Sequence, residues 1–241
     1  MDPRTLQARF ADLATAHVAD GCLRAEVPVR CGPSGLQAVA EGMRLAGRVA
    51  PARHAGSVDV FLEAFERAEP GDVLVVDNGG RLDESCVGDL VTLEARTAGL
   101  AGMVIWGLHR DTAELRRIGL PVFSLGRIPT GPLEAAANRR GGGLTPLSTR
   151  PAEVGEWTVD DGDVVLGDDD GVLFVPADRL DEVLGHAERI RDTEVAQAER
   201  IRGGRTLRDQ VHLRDYLERR AQDPDLTFRR HLREVGGEIE V

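Results

Sequence analysis

Lysine is absent from this 241-residue sequence, and all 30 of its basic residues are arginine. That absence removes Schiff-base aldol chemistry, a pyridoxal-phosphate enzyme anchored through lysine, and a P-loop with its phosphate-binding lysine. Carbonyl chemistry in this chain would need a metal ion. Cysteine is scarce. Cys22, Cys31 and Cys86 are odd in number and lack a zinc-type spacing, which predicts reduced thiols rather than a disulfide framework. No stretch reaches the roughly 18 consecutive apolar residues of a membrane span, and the opening MDPRTLQARF lacks the apolar run of a signal peptide. The expectation is a cytoplasmic protein that does not engage a membrane.

The charge that is present is uneven. The formal net charge is −11, yet the segment from His186 to Val241 holds twelve arginines against twelve acids. The whole acidic excess therefore belongs to the first 185 residues. A body of that sign offers no basic footprint for phosphates, so no nucleic-acid partner is expected. It suits a protein that holds a divalent cation. With 41% hydrophobic and 29% charged positions the chain can bury one core, with length left for an appendage.

Apolar periodicity predicts a helix over residues 4–21 stopped by Gly21, a strand over 36–49 followed by a loop at Pro51, and a helix over 58–69. Pro70-Gly71 then turns the chain into a buried strand at 72–77, ending in Asp77-Asn78-Gly79-Gly80. A helix from Gly88 to Gly99, a strand at 101–107, a helix at 112–119 and a strand from Pro121 complete a βαβαβ pattern. Right-handed crossovers bring the carboxyl ends of such strands to one edge, where the site is expected. After the Gly141-Gly142-Gly143 loop come short strands at 156–159 and 163–166, the acidic turn Asp168-Asp169-Asp170-Gly171, and the strand VLFVP. This acidic run lacks the glutamate spacing of a calcium loop and reads as a turn between strands. From Leu180 onward the sequence is arginine-rich and helical. It divides as a body over 1–180 and an extension over 181–241, either exposed or laid on a neighbouring subunit.

Two dipeptides carry the chemistry, Gly88-Asp89 and Arg110-Asp111. Amides at the start of the helix after Gly88 are unpaired by helix geometry and can bind a carboxylate, and glycine lets a ligand come close. Arg110 offers a planar fork of donors for a carboxylate or ketone oxygen. Asp111 can hold Mg²⁺ or Mn²⁺ largely through waters, and the metal would polarise a 2-oxo group. Asp89 is placed to steer a proton through water. The same residues also read as ordinary helix caps, Asp111 before Thr112 and Asp89 in its own helix. His109 reads as a wall residue, because no second histidine stands at ligand spacing. The remaining histidines, His17, His54, His186, His212 and His231, form no constellation.

The runs GDVLVVDNGG, CVGDL and GLHRDTAELRRIGLPVFSLG resemble the RraA-like family, which contains 4-hydroxy-4-methyl-2-oxoglutarate aldolases with oxaloacetate decarboxylase activity and a regulator of ribonuclease E. Twenty residues separate Asp89 from Arg110, as in the signature of the enzymatic members. The resemblance is specific over residues 70–130, extends from about 10 to 178, and leaves the tail after about 185 outside. It implies an α/β, β/β/α layered domain assembled as a homotrimer or a dimer of trimers, with sites between subunits. It further implies that Arg110 binds the pyruvyl moiety, Asp111 holds the metal, Gly88-Asp89-Leu90 gives backbone amides to the substrate carboxylate, and Asp89 orients a proton-relaying water. Non-enzymatic regulators typically lose the aspartate of the Arg-Asp pair, and this chain keeps it. His109 and Trp106 depart from the family pattern. The leading expectation is a metal-dependent lyase acting on a small 2-oxo acid. The alternatives are a non-catalytic regulator that binds a ribonuclease or another protein, and an enzyme of the same scaffold for a different 2-oxo acid.

Overall fold

The computed structural model describes residues 1–133 and 147–235. Helices α1 (Pro3–Ala11) and α2 (Thr15–Arg24) precede strands β1 (Arg30–Cys31), β2 (Gln37–Ala38) and β3 (Leu45–Arg53). An alternating stretch follows: α3 (Asp59–Phe65), β4 (Val73–Asp77), β5 (Ser85–Val87), α4 (Asp89–Thr97), β6 (Gly102–Trp106), β7 (Leu108–His109), α5 (Thr112–Ile118) and β8 (Val122–Ser124). Next come the hairpin β9 (Ala152–Val154) and β10 (Trp157–Val159), then β11 (Asp163–Asp168) and β12 (Gly171–Pro176). Helices α6 (Leu180–Arg202), α7 (Leu207–Gln210), α8 (Leu213–Gln222) and α9 (Phe228–Val235) close the described chain.

Eight strands form one sheet in the order β1-β12-β11-β3-β4-β6-β8-β2. Strands β3, β4, β6 and β8 are mutually parallel, so the expected βαβαβ unit is present, and the flanking strands are antiparallel. β3 changes partner along its length. Its residues Leu45–Arg48 pair with β11, and Val49–Arg53 pair with β4. The strand expected over 36–49 is therefore split and shifted, into β2 and a longer β3 that contains Pro51. Proline is tolerated there because β3 has already left β11 and is an edge on that side.

Side-chain alternation sorts the sheet into three cores. Leu74, Val76, Met103, Ile105 and Val122 face α3, α4 and α5. Val73, Val75, Val104 and Phe123 point to the other face, where the sheet curls so that they meet Val165, Val172 and Phe174, with Ala152, Val154 and Val159 of the hairpin. The outer face of the antiparallel half, through Val164, Leu166, Leu173 and Val175, packs on α1, α2 and the root of α6. These layers are the expected β/β/α arrangement, with a helical extension at the carboxyl end.

The helix expected over 4–21 is two helices. Asp168 accepts the Thr15 N–H and hydroxyl at 2.8 and 2.7 Å, so the acidic turn between β11 and β12 caps the start of α2, where Ala14 has no capping side chain. Gly21 is no stop. It lies inside α2, where a Cβ would come within 2.6 Å of the Val183 carbonyl oxygen of α6. The helix expected over 58–69 is shorter, Asp59–Phe65. The Gly141-Gly142-Gly143 loop lies outside the described residues. Leu180, Val183, Leu184 and Ala187 root α6 in the body, whereas α8 and α9 gather around Tyr216, Phe228 and the buried His231.

Candidate active site

Behind the carboxyl ends of β4 and β6 the chain forms a second, two-stranded parallel sheet from β5 and β7. Its register pairs Val87 with His109, and the Arg110 N–H donates to the Val87 carbonyl at 2.9 Å. Gly88 and Arg110 follow those paired residues, so the two sequence-selected dipeptides are brought together. Each opens a helix: Gly88 caps α4, and Asp111 precedes α5.

The contacts are close. A Cβ on Gly88 would stand 2.5 Å from Asp111 Oδ2 and 3.2 Å from Arg110 Nε, so only glycine leaves this space open. Arg110 Nε lies 3.4 Å from Asp111 Oδ2, and the Asp89 N–H points to the same oxygen at 3.4 Å. The Leu90 N–H donates to Asp89 Oδ1 at 2.7 Å. Both amides thus face carboxylate oxygens of the chain itself. Arg110 and Asp111 keep 45% and 38% of their side-chain surface, so the guanidinium and carboxylate remain approachable. The Leu90 side chain is exposed.

Asp111 does not behave as a cap. Its backbone is left-handed, φ 58° and ψ 35°, and its side chain makes no capping hydrogen bond to α5. A capping residue needs extended backbone, so this conformation turns the carboxylate away from its own helix. His109 is buried, with Nδ1 2.7 Å from Ser124 Oγ and Nε2 3.0 Å from Thr112 Oγ1. Burial first, then nearby Arg127, lowers its pKa to about 4, so the imidazole is neutral at physiological pH. Cys86 is buried against the Leu108 carbonyl, and burial pushes its thiol far above the ordinary range, which removes it as a nucleophile.

A polar network beside the dipeptides went unread in the sequence. Asp77, at the end of β4, accepts from Arg53 Nε at 2.8 Å and from the Gly79 N–H at 2.9 Å. His54, which carried no constellation in the sequence, joins Asn78 at 2.8 Å and stacks on Phe61. Fully buried Glu84 pairs with Arg81 at 2.8 Å and accepts the Leu133 N–H at 2.7 Å, while Ser85 holds the Thr130 carbonyl through its N–H and hydroxyl. These bonds pin the 130–133 segment, whose Gly131 lies against the Arg110 guanidinium: a Cβ there would be 2.8 Å from Nη1. The closely spaced Arg81 and Glu84, charged residues between two apolar strands, were the available signal.

The donor set decides which cation could fit. Among the described residues no three His, Cys, Asp or Glu side chains converge. One approachable carboxylate, beside a glycine that leaves room around it, fits a hard cation that keeps most of its waters, such as Mg²⁺ or Mn²⁺. It does not fit a zinc or calcium cage.

The family model described as RraA-like, Aldolase/RraA, matches residues 15–174, more than half of the chain. The chain belongs to the RraA-like family. A protein of Halalkalibacterium halodurans named "Putative 4-hydroxy-4-methyl-2-oxoglutarate aldolase" is 32% identical over 159 residues, covering 66% of this RraA-like chain and 69% of that protein. Protein DlpA of Legionella pneumophila is 33% identical over 145 residues, covering 59% of this chain and only 22% of DlpA. The solved structure of RraAS2 from Streptomyces coelicolor, titled an unusual member of the RNase ES inhibitor RraA protein family, superposes with a TM-score of 0.64 at 24% identity, over 79% of this chain and 93% of that one. That likeness establishes the fold. Among the described residues of this RraA-like protein, no helix is long and apolar enough to cross a membrane.

Proposed function

We propose that this RraA-like protein is a divalent-metal-dependent lyase that cleaves a C–C bond of a 2-oxo acid of the 4-hydroxy-4-methyl-2-oxoglutarate type, with oxaloacetate decarboxylase activity. The observation that supports it most is the β5–β7 pairing, which sets Gly88-Asp89 against Arg110-Asp111 with the Asp111 carboxylate turned outward. The substrate carboxylate exchanges into the amides of Asp89 and Leu90. Arg110 binds the pyruvyl oxygens. A Mg²⁺ or Mn²⁺ ion held through Asp111 would supply Lewis-acid polarisation of the 2-oxo group. As the C4 hydroxyl gives its proton to water and becomes the carbonyl of the departing fragment, the C3–C4 bond's electron pair stays on the pyruvyl unit as its enolate, whose charge Arg110 faces. Asp89 then steers a water proton to the enolate carbon, releasing pyruvate. Decarboxylation of oxaloacetate runs through the same enolate.

In this reading residues 1–180 are the catalytic body and 181–241 an arginine-rich extension. The protein works in the cytoplasm as a homotrimer or dimer of trimers, without a nucleic-acid or membrane partner. The test is pyruvate release from oxaloacetate with Mg²⁺ or Mn²⁺, corrected for the metal's own background, in wild type and Arg110→Ala and again after chelation. Turnover that needs both metal and arginine is the expected result. Absence of turnover above background moves the assignment to a different 2-oxo acid or to a regulator that binds a ribonuclease.

A further inference from the structure

We propose that His109 is a positioning residue whose imidazole, by bridging Ser124 and Thr112, staples the two ends of the Arg110-Asp111 turn and fixes where the Asp111 carboxylate faces. Its structural part stands on geometry alone, and its bearing on metal binding rests on the function proposed above.

His109 ends β7 and Thr112 begins α5, so the only residues between them are Arg110 and Asp111. The hydrogen bond from ring to hydroxyl, at 3.0 Å, closes a small loop with the two candidate functional residues at its middle. The other side of the ring is anchored in the sheet. Ser124 of β8 lies 2.7 Å from Nδ1, and its hydroxyl also accepts the Gly126 N–H at 3.2 Å and donates to the Gly126 carbonyl at 3.3 Å. With the serine proton on that carbonyl, Nδ1–H donates to Ser124 and Nε2 is left to accept the Thr112 hydroxyl proton. A neutral ring bridges the two hydroxyls in either tautomer, donating to one and accepting from the other.

The main chain before the turn is held as well. The His109 N–H donates to the Gly126 carbonyl at 3.0 Å, and the Ile128 N–H donates to the His109 carbonyl at 3.0 Å. After it, the Glu114 and Leu115 N–H groups return to the Asp111 carbonyl at 2.9 and 3.0 Å. These bonds fix the Asp111 carbonyl, while its backbone stays left-handed and its side chain makes no bond to α5. A non-glycine residue persists in that conformation only where its surroundings over-determine it. The staple from His109 to Thr112 spans that residue, alongside the Asp89 N–H and Arg110 Nε that face its carboxylate.

Thr112→Val separates a staple from a ring that only fills core volume, because it removes one hydroxyl and leaves the ring and its volume in place. The first measurement is amide hydrogen exchange, by mass spectrometry, of peptides spanning residues 108–116 in the metal-free full chain. Thr112→Val should speed exchange there by about tenfold, the loss of one buried hydrogen bond, with His109→Phe doing the same and Thr112→Ser restoring the wild-type rate. The second is Mn²⁺ titration followed by electron paramagnetic resonance. Thr112→Val should weaken binding by about tenfold and Thr112→Ser should not. Wild-type exchange in both Thr112→Val and His109→Phe would overturn the staple. Mn²⁺ binding that is unaffected by Asp111→Asn would instead overturn the functional reading, and the exchange rates would still decide the staple.

Discussion

Helices α4 and α5 begin side by side on one edge of the sheet, and they begin in opposite ways. α4 starts from Gly88 in extended backbone, φ −134° and ψ −161°, and its first amides face the carboxylates of Asp111 and Asp89. α5 starts from a left-handed aspartate whose side chain gives its own helix no cap and points its carboxylate at its neighbour. One start receives anions and the other exports one. The receiving start follows ordinary capping physics. The exporting start carries a backbone conformation that costs on the order of 1 kcal/mol, which stability alone would not retain.

The strongest way to break this pairing is to remove the exported charge. Asp111→Ala should abolish metal-dependent pyruvate release, measured with a coupled lactate dehydrogenase assay, while thermal unfolding shows a folded protein. Filling the receiving side comes next. The Cβ introduced by Gly88→Ala collides with Asp111 Oδ2 at 2.5 Å, and the displaced carboxylate should cost about 100-fold in kcat/KM. Asp89→Asn keeps an acceptor for the Leu90 N–H but loses the charge. Because Asp89 acts through a water, kcat should fall by only about tenfold, less than loss of a direct general acid would bring, with KM little changed. The smallest effect sharpens the contrast most. Asp111→Gly should be as inactive as Asp111→Ala yet gain about 1 kcal/mol in urea unfolding, since glycine accepts the left-handed backbone without strain.

Much of this edge was legible in the sequence. The βαβαβ alternation could be read because β4 and β6 are buried on both faces, and an unbroken apolar run such as VLVVD signals that burial directly. Gly88, Asp89, Arg110 and Asp111 could be read from helix-start chemistry and from resemblance, and the structure brings them together. What joins them could not. β5 and β7 are three and two residues long, too short to carry a period, and their pairing is a tertiary fact. The break between α1 and α2 was hidden for a similar reason, since its partner Asp168 lies more than a hundred residues away. His109 was visible as a departure from its family, but the two hydroxyls that give it a task come from β8 and α5. Position along the chain shows helix starts, whereas polar networks built from single residues of many elements stay silent until the chain is folded.

The change of partner along β3 orders events in time. The pairings on its parallel side, Val49 with Val73, Val73 with Gly102 and Met103 with Val122, each join neighbours in the chain through one crossover. Those on its antiparallel side, Arg48 with Val164 and Arg30 with Phe174, must wait for segments synthesised far later. Loop closure makes near pairings faster. The parallel half of the sheet, behind which Gly88 and Arg110 lie, can therefore assemble while the chain is still emerging, and β11 and β12 arrive to seal a face that is already made.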